Sequence, residues 1–200
     1  MVRDTLLLLV MLNPFATMLF LTALMQERSS REFLRIFNWA SLFTMLILMM
    51  FALTGDFVLN EIFQVSLPAV RIFGGLTIGV AAFTYIMQGP EGLKLFRGDI
   101  TTIAQQIALP FMVGPGAIWV CISIGRSHPV PIAFGIILVA LLINSAAMIA
   151  YNLIIKRAND HQVITRILSY FQMLMRLNAL LIGAVAVQMI LAGIREFMVG

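Results

Sequence analysis

The chain has 200 residues, of which 61% are hydrophobic and only 11% charged, and its mean hydropathy is +1.00. Soluble domains run near roughly 45–50% apolar and about 25% charged, so a water-soluble globular fold is excluded and a polytopic membrane protein is indicated. The formal net charge of +4 comes from Lys and Arg between the apolar runs; a basic rim against anionic lipid accounts for it, and no nucleic-acid partner is called for.

A membrane-spanning helix needs about 20 apolar residues, and six such runs are predicted. The first, Thr5–Gln26, begins like a signal peptide, with Arg3 before Leu6 to Leu9. It continues past Pro14 to Leu24 with no small-residue cleavage pattern, so it is read as a span. Asn13-Pro14 interrupts it. A proline removes a backbone donor and clashes with the carbonyl four residues earlier, and such a break within lipid must be covered by protein or line a cavity. The second run, Ile36–Gly55, carries Ser41 and Thr44 near its middle. The third, Pro68–Gln88, opens with Arg71 and presents Gly74-Gly75, Gly79 and Ala82 at about one-turn spacing, a helix-packing face.

The fourth run, Thr102–Gly125, is interrupted at Gly114-Pro115-Gly116 and contains the lone Cys121, a small apolar packer. The fifth, Ile132–Ile155, has Asn144-Ser145 near mid-span. The sixth, Leu174–Ile194, begins at Arg176 and carries Ala179, Gly183 and Ala186. The spans' inner parts contain no Asp, Glu, Lys or His, so a buried proton relay is hard to build. His128 and His161 lie in loops, and no metal site is expected. With no nucleophile beside a base, and no paired acidic, Ser/Lys or His groups within the spans, an enzyme is not expected either.

Positions recur at an interval creeping from 101 to about 105: Pro14 with Pro115, Arg71 with Arg176, Ile78 to Ala82 with Ile182 to Ala186, and Gly89 with Gly193. A duplication follows, within a single transmembrane domain over 1–200: repeat one 1–89, a connecting cytoplasmic loop 90–101, and repeat two 102–200. Three spans per repeat is an odd number, so the second copy enters the membrane from the opposite side. The fold expected is therefore all-α, with six transmembrane helices in two inverted three-helix repeats. Loops holding Arg28, Arg31, Arg35, Lys94, Arg97, Lys156, Arg157 and Arg166 fall on one side, against Arg3, Arg126 and Arg195 on the other. Both termini are thereby predicted outside, in the periplasm, with the chain multi-pass in the plasma (inner) membrane.

Inversion brings the two breaks toward each other near the midplane, each exposing a half-helix N-terminus with unpaired amides and a partial positive charge, suited to a carboxylate. The expected substrate-binding set is Asn13, Pro14, Phe15, Ala16 and Thr17 with Gly114, Pro115, Gly116 and Ala117. Gly114 and Gly116 let a ligand approach the backbone, Asn13 caps or donates, Thr17 adds a hydroxyl, and Ala16 and Ala117 keep the floor narrow. A small solute is favoured. Arg71 and Arg176 are read as reaching headgroups, bracing a broken helix or attracting an anion; with Gly74, Gly75, Asn144 and Ser145 they form a structural or gating set. No cofactor is expected. Coupling, if present, requires backbone carbonyls that hold a cation such as sodium.

The pieces Asn13-Pro14, Phe73-Gly74-Gly75 after Arg71, Ala108-Leu109-Pro110 with Gly114-Pro115-Gly116-Ala117-Ile118, and Arg176 through Gln188-Met189 to Gly193-Ile194-Arg195 resemble the MarC family of six-span membrane proteins along nearly the whole chain. The resemblance implies an inverted-repeat transporter with its site at the two breaks, and small neutral amino acids such as glycine and alanine as solutes of some members. This chain departs from the pattern at Phe15 to Leu19, where a glycine and a second proline are more usual, and at Asn178-Ala179, where an apolar residue and glycine are more usual. The reading is a transporter or facilitator of small neutral amino acids or similar small carboxylates, working by alternating access. An accessory or structural membrane protein, or a passive channel, is the alternative. The partners expected are the lipid bilayer and a small-molecule substrate, with a homo-oligomer left open.

Overall fold

The computed structural model describes residues 1–58, 61, 64–88, 98–157 and 161–199; the expected connecting loop therefore lies outside the described residues from 90 to 97. Every regular element among the described residues is helical. Helix α1 covers Val2–Leu12 and α2 covers Pro14–Glu27. Between them Asn13 stands in the left-handed region (φ 43°, ψ 75°), a conformation that asparagine tolerates better than most residues. Pro14 forces this locally, because proline disfavours the right-handed helical region for the residue before it while suiting the first helical position itself.

Helix α3 covers Ser30–Phe57. It starts well before the apolar run at Ile36, because the Ser29 hydroxyl oxygen accepts the Glu32 amide at 3.2 Å and caps the helix, with Glu32 itself in the first turn, where the helix dipole favours an acid. Glu32 also takes Arg28 at 2.6 Å. Helix α4 covers Leu67–Gln88.

Helix α5 covers Ile100–Gln106 and begins two residues ahead of the expected Thr102, since the Asp99 carboxylate accepts the Thr102 amide at 2.9 Å. A π turn follows over Ile107–Met112, and α6 covers Pro115–Ser127 with Gly114 as its N-cap. The junction is longer than Gly114-Pro115-Gly116. Leu109 is already extended (φ −122°, ψ 123°) because Pro110 follows it, and Gly114 is extended (φ −92°, ψ 165°) because Pro115 follows it. The Val113 amide recovers a partner at the Ala108 carbonyl, 2.8 Å away. Helix α7 covers Val130–Arg157, and α8 covers His161–Val199, far beyond the expected Leu174–Ile194.

Among the described residues, Ser30–Gly55, Pro68–Met87, Val130–Arg157 and Ala179–Met198 are each long and apolar enough to cross a membrane unaided. The pieces α1, α2, α5 and α6 are individually shorter than the about 20 residues a crossing needs. Helices α3 and α7 run through the middle. They pack on each other, α3 also against α5 and α6, and α7 also against α1 and α2. Ser41 and Ser145 meet at 3.4 Å between α3 and α7, and the hydroxyls of Thr22 and Tyr151 meet at 3.1 Å between α2 and α7.

The most extensive contact is between α4 and α8, while α4 also touches α6 and α8 touches α2. Their small residues face one another. A Cβ on Gly79 would stand 3.6 Å from that of Ala186, one on Gly183 3.9 Å from that of Ala82, and one on Gly193 2.8 Å from the Pro68 carbonyl oxygen. Residues ascending α4 meet residues descending α8, so the two helices are antiparallel. Absent side chains at these positions let the backbones close, which is how helices associate where lipid competes for every apolar contact.

At one end of the bundle, Asp4 ties the start of α1 to the turn between α6 and α7. Its Oδ2 lies 3.0 Å from the Met1 amine and 3.1 Å from Nε2 of His128. The Met1 amine first, then His128, hold its carboxyl below the ordinary value of 3.8. The pairing thus stabilises the fold above the ordinary carboxylate range and is lost as pH falls through the depressed value. Asp4→Asn should lower stability at pH 7 by under about 1 kcal/mol, as suits an exposed pair, and the gap from the parent should close as the pH is taken below 3.8; thermal unfolding in detergent across pH reads both. A second variant probes the α3–α6 contact. A Cβ on Gly125 would overlap the Ala52 carbonyl, so Gly125→Ala should cost about 2–3 kcal/mol, read by the same unfolding measurement.

Candidate functional site

Helices α2 and α6 both begin inside the bundle, each at a proline-directed junction. By helix geometry their first-turn amides lack carbonyl acceptors four residues back, and a partial positive charge gathers there. Both starts border one cavity of about 470 Å³. Its wall is formed by Leu9, Val10 and Met11 of α1, the junction residues Asn13, Pro14 and Phe15, then Phe111, Gly114 and Gly116, and the facing sides of α4 and α8. The α4 side supplies Thr77, Ile78, Ala81, Ala82 and Tyr85, and the α8 side Ala179, Leu181, Ile182, Val185 and Met189. Val10, Phe15, Leu181 and Val185 are exposed and form the mouth.

Fourteen of the nineteen lining residues fall into pairs at constant intervals. Val10 and Phe111, Asn13 and Gly114, and Phe15 and Gly116 are 101 positions apart; Thr77 and Leu181, Ile78 and Ile182, Ala81 and Val185, and Tyr85 and Met189 are 104 apart. The contact between Ser41 and Ser145 has the same interval of 104.

The expected binding residues divide into two groups. Asn13, Pro14, Phe15, Gly114 and Gly116 line the cavity, whereas Thr17, Pro115 and Ala117 do not, and the side chain of Ala16 lies outside the described part. Thr17 is buried and its hydroxyl donates to the carbonyls of Asn13 (3.2 Å) and Leu12 (3.3 Å). It repairs the junction from behind. The Pro115 ring is pressed against Gly74, where any Cβ would overlap it, and Gly75 lies against the Ala186 carbonyl and Ile190. With Thr17, Pro115 and Ala117 off the wall and α4 and α8 forming much of it, the pocket is wider than the narrow one expected and falls within the roughly 300–1,000 Å³ of small-molecule sites.

The gating set is scattered. Arg71 pairs with Glu196 of α8 and stacks over Trp119 of α6, its guanidinium carbon 4.3 Å from the ring centroid. It therefore braces three helices, while Arg176 is exposed on α8. Ser145 bonds Ser41. Asn144 is fully buried with neither amide atom hydrogen-bonded among the described residues, as is Asn152 two turns on, and neither lines the cavity. Among the described residues no group of three or more His, Cys, Asp or Glu is placed to hold a metal ion.

Among the described residues lining the cavity no side chain is ionised, and Asn13, Thr77 and Tyr85 are the polar ones. The Thr77 hydroxyl donates to the Phe73 carbonyl of its own helix at 2.9 Å. Tyr85 was not singled out from the sequence, where a tyrosine in an apolar helix carries no motif. Its place at one-turn steps from Ala81 and Thr77 is the signal that could have found it.

A family model described as MarC family integral membrane protein matches residues 1–198. A UPF0056 membrane protein of Pyrococcus horikoshii is 26% identical over 150 residues, 72% of each chain. Another, of Methanocaldococcus jannaschii, is 27% identical over 192 residues, 92% of this chain and 90% of its own; a third, of Aquifex aeolicus, is 25% identical over 207 residues, 98% and 93% of the two chains. No solved structure matches.

The Arg71 brace is testable apart from any solute. Arg71→Gln removes both the stack on Trp119 and the charge opposite Glu196, and should lower stability by about 1–2 kcal/mol. Arg71→Lys keeps a charge but loses the flat stacking surface, so it should recover only part of that loss while leaving the tryptophan emission shifted; detergent unfolding and fluorescence separate the two terms.

Proposed function

The chain belongs to the MarC family of integral membrane proteins, and from that premise we propose that it is a multi-pass transporter or facilitator of small neutral amino acids or similar small carboxylates, lodged in the plasma (inner) membrane with both termini periplasmic. The observation that carries the reading is the cavity on which the starts of α2 and α6 converge. Amides at the head of a helix, inside a water-poor site, form a ready acceptor for a carboxylate. In this reading Asn13, Pro14 and Phe15 on one side and Gly114 and Gly116 on the other build the wall of the site, with Pro115 and Ala117 behind it and the Thr17 hydroxyl bonding the carbonyls of the first junction.

The proposed architecture is six spans in two inverted repeats, α1–α2, α3 and α4 followed by α5–α6, α7 and α8, with the first and fourth spans broken. Three observations support it. The antiparallel course of α4 and α8 is what inversion requires of corresponding helices. Contacts also come in exchanged sets: α3 with α5 and α7 with α1, α3 with α6 and α7 with α2, α4 with α6 and α8 with α2. Most of the cavity lining consists of residue pairs at the duplication interval. A pseudo-two-fold axis in the membrane plane would then pass between Ser41 and Ser145, between α4 and α8, and through the cavity.

Alternating access follows as a rocking of one repeat against the other about that axis. Small residues at Gly79, Ala82, Gly183 and Ala186 let α4 and α8 lie close along the proposed axis. With no ionised side chain on the cavity wall, coupling would rest on backbone carbonyls freed near Leu109 that hold sodium, or be absent. An accessory role is the second reading; the largely apolar wall favours it, and it predicts that the junctions tolerate substitution.

Uptake of radiolabelled glycine, alanine and serine into proteoliposomes, with and without sodium and pH gradients, tests the proposal. A side chain at Gly116 would meet first the movable ends of Met11 (Sδ, 2.7 Å) and Met189 (Cε, 3.9 Å), so Gly116→Leu should enter the cavity in a folded protein and reduce uptake by tenfold or more. Uptake equal to that of the parent, or none by the parent under any gradient, would move the weight to the accessory reading.

A further inference from the structure

Tyr85 is the bulkiest of the fully buried side chains, 1% exposed, and it lines the cavity. The other buried hydroxyls among the described residues are satisfied. Thr17 and Thr44 donate to carbonyls of their own helical stretch, and Thr22 and Tyr151 bond each other. The Tyr85 hydroxyl makes no hydrogen bond among the described residues, and it is not one of their sealed, unpartnered polar atoms, such as the amide atoms of Asn144 and Asn152; it sits on the cavity wall. Met189 holds the place 104 positions on in α8 and also lines the cavity.

The same asymmetry runs through the cavity. Where α4 presents Thr77 and Tyr85, α8 presents Leu181 and Met189 at the corresponding places. Thr77 is committed to its own backbone. On the α4 side, the Tyr85 hydroxyl is thus the donor left for a solute, and the described α8 residues on the wall present hydrocarbon and the Met189 thioether.

We propose that Tyr85 binds the solute directly, donating its phenolic hydrogen to a carboxylate or carbonyl oxygen, while Leu181, Val185 and Met189 receive an apolar side chain. This rests on the transport reading and narrows its substrate class to carboxylates with a hydrocarbon side chain. A phenol bonded to a charged acceptor favours binding by tenfold or more, and each buried methylene adds about fourfold.

The test compares the intact protein with Tyr85→Phe, which deletes one oxygen and keeps the ring. Tritiated alanine uptake into proteoliposomes is measured against alanine concentration, with unlabelled glycine, alanine and valine as competitors, and thermal unfolding in detergent is measured without solute. The expected result is a KM raised tenfold or more in the variant with unfolding unchanged, and competition strengthening from glycine to alanine to valine. A KM within twofold of the parent overturns the assignment of Tyr85 while leaving transport standing, and a variant that unfolds several degrees earlier overturns it by making the hydroxyl structural. Competition that weakens with side-chain size overturns the hydrocarbon part of the class. No uptake by the intact protein, of alanine or of labelled glycine or serine, overturns the transport reading and this inference with it.

Discussion

In hydrocarbon a backbone amide or carbonyl without a partner has no water to fall back on, and leaving one unpaired costs several kcal/mol. Two of the chain's apolar stretches nevertheless contain prolines that break the helical ladder. The consequences organise the bundle. At the first junction the Thr17 hydroxyl turns back to the carbonyls of Leu12 and Asn13; at the second, the Val113 amide closes the π turn on the Ala108 carbonyl. By helix geometry the first-turn amides of α2 and α6 are further loose ends, and both helix starts border one cavity.

That arrangement demands close packing around the junctions, and glycine supplies it. Gly74 admits the Pro115 ring, Gly125 admits the Ala52 carbonyl, and Gly75 and Gly193 let α4 and α8 meet backbone to backbone. Arg71 then ties α4 to α6 and α8 through Trp119 and Glu196. The tightly apposed α4–α8 pair is the element on which the proposed rocking would turn. The cavity wall pairs backbone dipoles with hydrocarbon rather than with charged side chains, which suits a neutral or zwitterionic solute better than a free ion.

The membrane class and the junction at Asn13-Pro14 were legible in the sequence, as was the small-residue face shared by Gly79, Ala82, Gly183 and Ala186. The second junction was only half legible. Gly114-Pro115-Gly116 announced it, but the part contributed by Leu109-Pro110 and the π turn was not read as structure. Helix ends went astray at Ser30, Ile100 and His161 because caps and continuing helix carry polar residues that an apolar window discards. Of the site, Asn13, Pro14, Phe15, Gly114 and Gly116 fell on the cavity wall, while Thr17, Pro115 and Ala117 turned away from it and Tyr85 came in unannounced.

The division has a physical basis. Apolar composition, proline's restriction of the residue before it and the one-turn spacing of small residues act within a few positions along the chain, so the sequence by itself determined that this is a membrane protein of helices broken near Asn13 and Gly114. Which side chains meet depends on how each helix is rotated about its axis and against which neighbour it lies. Those choices join residues more than a hundred positions apart: Asp4 with His128, Arg71 with Glu196, Thr22 with Tyr151, Gly116 with Met11. They are settled by the packing of the whole bundle, and only the tertiary structure decided that Tyr85 would face the same cavity as the two helix starts.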